Sequence, residues 1–216
     1  MKALVLLSAG LDSLVNMAQA LDNGYELEAL TFDYGQKAAQ KELEHAANIC
    51  TFYSIPHRVI ELPWLAEVTT TSLVASRNEV PVFNEERIND TDYINSTAKA
   101  VWVPNRNGTF INIAASVSEA KGIDEIIVGF NKEEAATFPD NTKEYLEKVN
   151  DALAYSTLSK VKVISFTTDF DKIAIVNLGK RLAVPFKYCW PCYHNGAQLC
   201  GRCESCVRYF RALSAY

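Results

Sequence analysis

Five of the six cysteines lie between Cys189 and Cys206. Cys200-Gly-Arg-Cys203-Glu-Ser-Cys206 holds two overlapping CxxC pairs, and Cys192 precedes them by eight positions. Four thiolates at such spacing suit a closed tetrahedral zinc site, and Gly201 eases the turn that brings backbone N–H groups to sulfur. Cys189-x-x-Cys192 is itself a CxxC, so spacing leaves five cysteines for four places, with His194 as a further donor nearby. A redox thiol or an iron–sulfur cluster is the weaker reading. Lys180, Arg181, Lys187, Arg202, Arg208 and Arg211 surround the cluster in sequence. They offset the negative charge of a tetrathiolate site, and the same cations suit a phosphate or another chain. Cys50 stands alone in a helical pattern and reads as a small buried apolar residue.

The second stretch with chemistry is Ser8-Ala9-Gly10-Leu11-Asp12-Ser13, between an apolar run and a helical pattern. A strand-to-helix junction presents free N–H groups at a positive helix end, which suits an anion. Gly10 allows close backbone approach, and Ser8 and Ser13 offer hydroxyls to phosphate oxygens. Asp12 suits a helix cap or a magnesium ion beside a phosphate. The plain alternative is a turn capped by Asp12, since neither GxGxxG nor GxxxxGK[ST] is present.

The surrounding pattern supplies elements to hold these groups. Ala3–Leu7 reads as a strand buried on both faces, followed by a helix with Leu14, Val15, Ala18 and Leu21 on one side and Gly24 at its end. Leu27–Phe32 reads as a strand, Lys37–Tyr53 as a helix and His57–Leu62 as a strand. This β-α-β-α-β rhythm predicts an α/β fold with a doubly wound parallel sheet. Residues 63–100 break the rhythm and read as an insertion or lid. Regularity returns at Val101–Val103, with a helix from about Gly108 to Lys121 and a buried strand at Glu125–Gly129. A helix over Lys143–Tyr155, a strand over Val161–Phe166 and a helix over Asp171–Leu182 complete the domain. The expected organisation is residues 1–186 as the α/β domain and 187–216 as a small C-terminal zinc-binding segment.

The bulk numbers fit one soluble domain. The 216 residues are 49% hydrophobic and 22% charged. A net charge of −5 argues against a general nucleic-acid binder. The apolar stretch Ala3–Leu7 is too short for an export signal, and no segment approaches the roughly 18 apolar residues of a membrane span. Both absences, with the free-cysteine reading, predict a cytoplasmic protein.

SAGLDS resembles the SGGxDS loop of the PP-loop ATP pyrophosphatases, which grip the pyrophosphate of ATP. Ala9 replaces a glycine, and the expectation is that a small side chain suffices there. Read end to end, the chain resembles the 7-cyano-7-deazaguanine synthase family. The resemblance rests on Thr31-Phe32-Asp33-Tyr34-Gly35-Gln36 and Val103-Pro104-Asn105-Arg106-Asn107. It continues through Gly129-Phe130-Asn131 and Phe138-Pro139-Asp140, then Trp190-Pro191-Cys192-Tyr193 before the last three cysteines. Lys37-Ala38 departs from the family's Arg-His, and Pro191 from its serine. The resemblance selects Cys192, Cys200, Cys203 and Cys206 as zinc ligands and leaves Cys189 spare.

It implies an ATP-dependent carbon–nitrogen ligase that turns 7-carboxy-7-deazaguanine and ammonia into the nitrile, through adenylated carboxylate and amide stages. The implied cofactors are ATP, Mg2+ and Zn2+, and the implied assembly is a homodimer. Leu7, Ser8, Ala9, Gly10, Leu11, Asp12, Ser13 and Leu14 would hold the nucleotide, with Tyr34 and Gln36. Ser8, Asp12, Ser13, Arg106 and Lys132 would be catalytic, and Arg106, Asn131 and Asp140 would bind substrate. The three histidines are expected to be structural or solvated. The rivals are another PP-loop enzyme, tRNA-thiolating or amide-forming, and a zinc-containing binding module without catalysis. With no glutaminase domain in sight, free ammonia is the expected nitrogen donor.

Overall fold

The computed structural model describes residues 1–74 and 78–215. The five apolar runs become strands β1 (Lys2–Leu6), β2 (Glu26–Asp33), β3 (His57–Glu61), β4 (Glu125–Ile127) and β5 (Lys162–Ile164). All pair in parallel, in the order β3-β2-β1-β4-β5. The helices in chain order begin with α1 (Leu11–Asp22), α2 (Ala39–Tyr53), α3 (Pro63–Glu67), α4 (Thr91–Val101) and α5 (Arg106–Lys121). They continue with α6 (Lys132–Ala135), α7 (Lys143–Ser156), α8 (Lys172–Arg181) and α9 (Glu204–Ser214).

The sheet is covered on both faces, as a parallel sheet must be. Along β1 the side chains alternate. Ala3 and Val5 enter a core with Leu14 and Met17 of α1, Ile49 of α2 and Ile175 of α8. Leu4 enters the opposite core with Leu30, Ile111 of α5, Ile126 and Val163. Trp190, Cys192, Cys203, Cys206 and Tyr209 belong to the first core, so the cysteine segment shares that core with α1 and α8, and α9 packs on α8. Cys50 is buried in the same cluster.

Four helices, α3, α4, α6 and α9, escape the sequence pattern, and two of them, α4 and α9, run to 11 residues. Inside residues 63–100, α4 is capped by Asp90, whose carboxylate accepts the Tyr93 N–H, and it buries only Thr97, Ala98 and Val101. So narrow an apolar face leaves little periodic signal. Val101 therefore ends a helix, and Val103 enters the core without pairing in the sheet. Residues 75–77 of that segment lie outside the described residues. The other helix, α9, begins between two of the clustered cysteines and buries Cys206, Val207, Tyr209 and Ala212. Helix starts also shift, to Ala39 from Lys37 and to Arg106 from Gly108.

One glycine sets how closely β4 approaches the loop after β1. A Cβ at Gly129 would lie 2.6 Å from the Ser13 backbone nitrogen and 2.9 Å from the Asp12 carbonyl carbon. Both neighbours are main chain and cannot swing aside. Gly129→Ala is expected to lower stability by about 1–3 kcal/mol, read as a drop in thermal midpoint with the secondary-structure spectrum unchanged.

Candidate active site

The connection from β1 into α1 carries no side-chain cap. Gly10 occupies the N-cap position, and the first turn of α1 directs its N–H groups outward. The Ser8 and Ser13 hydroxyls lie 3.2 Å apart. Ser13 donates to the Gly10 carbonyl at 3.1 Å, and the Gly10 N–H donates to the Ser8 hydroxyl at 3.3 Å. Asp12 therefore does not cap this helix. Ala9 sits at φ +59° with its side chain fully buried. The expectation that only a small side chain was needed there is corrected: the position requires a left-handed backbone, and alanine adopts it at a cost of about 1–2 kcal/mol.

Asp12 meets Lys172, at the start of α8. The Lys172 ammonium lies 2.5 Å from the Asp12 carboxylate and 2.8 Å from that of Glu134, with its side chain 8% exposed. Burial lifts the Asp12 carboxyl to about 6, and the Lys172 charge pulls the other way. The ammonium is held charged well above the ordinary lysine range, its two carboxylate partners outweighing the cost of burial. Only Oδ2 of Asp12 is engaged; Oδ1 is buried with no partner.

Beside β2 a second polar group forms. Gln36 donates to the Phe32 carbonyl and to the Glu42 carboxylate, and accepts the Tyr34 N–H. Its amide is thus committed to shaping the loop. The Tyr34 hydroxyl accepts from the Arg106 guanidinium at 3.2 Å. Burial raises the Glu42 carboxyl to about 7, opposed by the Gln36 hydrogen bond and the Arg106 charge. The Asp140 carboxyl is raised by burial, with Arg106 opposing. Phe32 stacks on Phe110 at 4.2 Å, and Trp102 lies parallel to Phe138 at 5.8 Å. Both ring pairs line the crevice together with Arg106. Ser8, Asp12, Ser13, Glu42, Arg106, Asp140 and Lys172 all line this one crevice.

The sulfur atoms of Cys192, Cys200, Cys203 and Cys206 lie within 4.8 Å of one another. The His194 and Cys200 N–H groups donate to Cys192 Sγ at 3.4 Å, and the Cys203 N–H donates to Cys200 Sγ at 3.3 Å. Such donors stabilise thiolate sulfur, so the donor set fits a four-coordinate soft metal. Cys189 stands apart beside Tyr209, and burial raises its thiol well above the ordinary range. His194 contributes its carbonyl to the Trp190 indole rather than a ring nitrogen to the cluster.

Not every expected residue reaches the crevice. Leu7, Gly10, Leu11, Tyr34 and Gln36 line it, whereas Leu14 and the Ala9 side chain face the core. Asn131 is fully buried and caps α6, its Oδ1 accepting the Glu134 N–H at 2.9 Å. Lys132 is exposed and stands outside the lining, because α6 turns it to solvent. The lysine that does line the crevice beside Asp12 is Lys172. That residue had a sequence signal: a lysine in the first turn of a helix opposes the helix dipole and calls for a nearby anion. Arg208, one of the cations around the cysteines, lines the crevice too, whereas Glu42 and Glu134, also in the lining, carried no signal.

Among solved structures the arrangement is similar to a 4-thiouridine synthetase–RNA complex with bound ATP. The TM-score is 0.57 at 20% identity, over 99% of this chain and 53% of that one. It is also similar to NMN synthetase from Francisella tularensis, with a TM-score of 0.50 at 17% identity, over 94% of this chain and 69% of that one. At such identity the likeness is one of fold, and with the uncapped serine loop it defines the class as a parallel α/β protein with an anion-suited helix N-terminus after its first strand. Within that class, the chain belongs to the QueC family, whose model, described as queuosine biosynthesis protein QueC, matches residues 2–216. The 7-cyano-7-deazaguanine synthase of Pelotomaculum thermopropionicum is 50% identical over 212 residues, 98% of this chain and 96% of that protein. Its namesake in Methanosarcina mazei is 48% identical over 219 residues, 98% of this chain and 93% of that protein.

The Glu42 shift has a consequence for stability. The unfolded carboxyl releases its proton near 4.5, the folded one near 7. Between those values the folded state holds more protons, so the contribution of Glu42 to stability falls as pH rises. Relative to wild type, Glu42→Gln is expected to be equally stable at pH 4.5 and more stable at pH 8. The gain is on the order of 1–2 kcal/mol, discounted from the full shift for partial exposure. Denaturant titrations at both pH values check it.

Proposed function

We propose that this protein is a 7-cyano-7-deazaguanine synthase, converting 7-carboxy-7-deazaguanine and ammonia to the nitrile with ATP. The reading is carried by one observation: chains of that name match it at about half identity over nearly their whole length. The chemistry is consistent with the crevice. A carboxylate is a poor electrophile because its leaving group would be oxide. Attack of its oxygen on the α-phosphorus of ATP expels pyrophosphate and leaves an acyl adenylate. Ammonia then displaces AMP and, losing a proton, gives the amide. A second adenylation, now on the amide oxygen, allows loss of AMP and a proton, which leaves the C≡N bond.

In this reading Ser8, Gly10, Ser13 and the N-terminus of α1 hold phosphate oxygens. Asp12 would hold Mg2+ through its unpartnered Oδ1, while Lys172 orients that carboxylate. When bound, the magnesium would offset charge on the departing pyrophosphate. Arg106 clamps an anionic group, its fork suiting carboxylate and phosphate alike. Tyr34, Phe110, Trp102 and Phe138 supply flat faces for the two heterocycles. Cys192, Cys200, Cys203 and Cys206 would hold Zn2+ as a structural ion. Among the described residues, no helix is long and apolar enough to cross a membrane. The free thiols suit a reducing cytoplasmic setting. A homodimer belongs to this reading through the sequence resemblance alone.

Purified protein given ATP, magnesium, ammonium and 7-carboxy-7-deazaguanine is expected to yield the nitrile with two AMP per turnover, read by mass spectrometry. Consumption of ATP with a different acceptor alone would refute the substrate, and absence of any ATP cleavage would refute the class. Elemental analysis is expected to find one zinc per chain. Its removal by a chelator is expected to lower the thermal midpoint by several degrees, since the cluster closes the core against α1 and α8.

A further inference from the structure

The left-handed turn at Ala9 has a specific support. The Ala9 carbonyl accepts the backbone N–H of Trp190 at 2.8 Å. Trp190 is fastened on several sides. Its indole N–H donates to the His194 carbonyl at 3.2 Å, its ring packs on His45 at 4.9 Å, and the Lys41 ammonium stands 5.6 Å from the ring centre. His45 is itself tied to the Tyr188 carbonyl by a 2.9 Å hydrogen bond. Two residues beyond Trp190, Cys192 enters the sulfur cluster. The segment that carries the cluster thus extends one fixed donor to the apex of the loop after β1.

An L residue at φ +59° is disfavoured by roughly tenfold against its ordinary conformations, whereas glycine enters that region freely. Something must hold Ala9 there. We propose that Trp190 is a positioning residue for the phosphate loop: its main-chain N–H, anchored by its ring, locks Ala9 in the left-handed turn. The lock keeps Ser8, Gly10 and the N-terminus of α1 turned toward the crevice. A glycine at position 9 needs no such lock, so the two positions are coupled. The inference rests on the reading of this loop as a grip for the phosphates of ATP.

The test is a double-mutant cycle on full-length, metal-loaded protein, with magnesium–ATP affinity measured by calorimetry. Trp190→Ala is expected to weaken binding about tenfold when residue 9 is alanine and less than threefold in the Ala9→Gly background. Trp190→Phe, which keeps a packed ring, is expected to recover most of the loss. Trp190 also lines the crevice, so simple loss of a ring contact would weaken both backgrounds equally. That outcome would overturn the lock while leaving ATP binding intact. Failure of the wild type to bind ATP would instead remove the nucleotide reading, and this inference with it. The backbone amide of Trp190, followed in protein labelled with 15N-tryptophan, gives a measure that needs no variant to fold. Slow hydrogen exchange that quickens on chelation supports the lock, and exchange as fast as an open amide overturns it.

Discussion

The crevice above β1 follows from a constraint of parallel sheets. β1 is flanked by β2 on one side and β4 on the other, and the chain winds away from it in opposite senses. Helix α1, which leaves β1, packs on one face, and α5, which precedes β4, packs on the other. Above the carboxyl end of β1 neither helix closes the gap, and ligands of such sheets bind there. The loop after β1 lies at that place. Gly129 lets β4 come up beside it, and Asn16 ties α1 to the exit of β5 by accepting the Phe166 N–H at 2.7 Å.

Charge inside the crevice is organised by the cost of burying it. A buried ion is tolerated only with a partner, and two cations here sit between carboxylates. Lys172 lies between Asp12 and Glu134; Arg208 lies between Glu133 and Glu204. Arg106 is the exception in kind. Its neighbours are the Tyr34 hydroxyl and, at longer range, Glu42 and Asp140, whose carboxyls burial shifts upward. Its guanidinium bonds the Tyr34 hydroxyl rather than a carboxylate, and a fork held that way suits an anion.

The cysteine segment does more than close a small loop. The Phe83 N–H, from the segment between β3 and α5, donates to the Arg202 carbonyl at 2.8 Å. Arg208 of α9 lies 5.7 Å from the Phe83 ring centre. The Trp190 N–H reaches Ala9 from the same segment. Between Cys189 and Ser214 the chain therefore touches the loop after β1, the segment before α4 and helix α8. A soft-metal site at the centre of those contacts would hold several otherwise separate loops in register, which explains why a small, hydrogen-bonded thiolate cage belongs in an enzyme of this size.

Much of this was legible in the chain. Apolar runs located all five strands, the Ser8–Ser13 spacing marked a loop that lines the crevice, and the Cys200–Cys206 spacing marked thiols that cluster. The choice of Cys192 over Cys189 came from resemblance, and the sulfur geometry agrees with it. Short helices with narrow apolar faces, α4 and α6, were invisible because they bury too little to leave a period. The placement of Asn131 and Lys132 depended on α6, so one became a cap and the other turned to solvent. Local sequence determined which segments are strands, where a helix start is left uncapped and which thiols cluster, since those properties belong to neighbours in the chain. Only tertiary structure decided that Lys172 faces Asp12, that Glu42 faces the crevice and that Trp190 meets Ala9. Those contacts join residues far apart in sequence, and the sheet order alone brings them together.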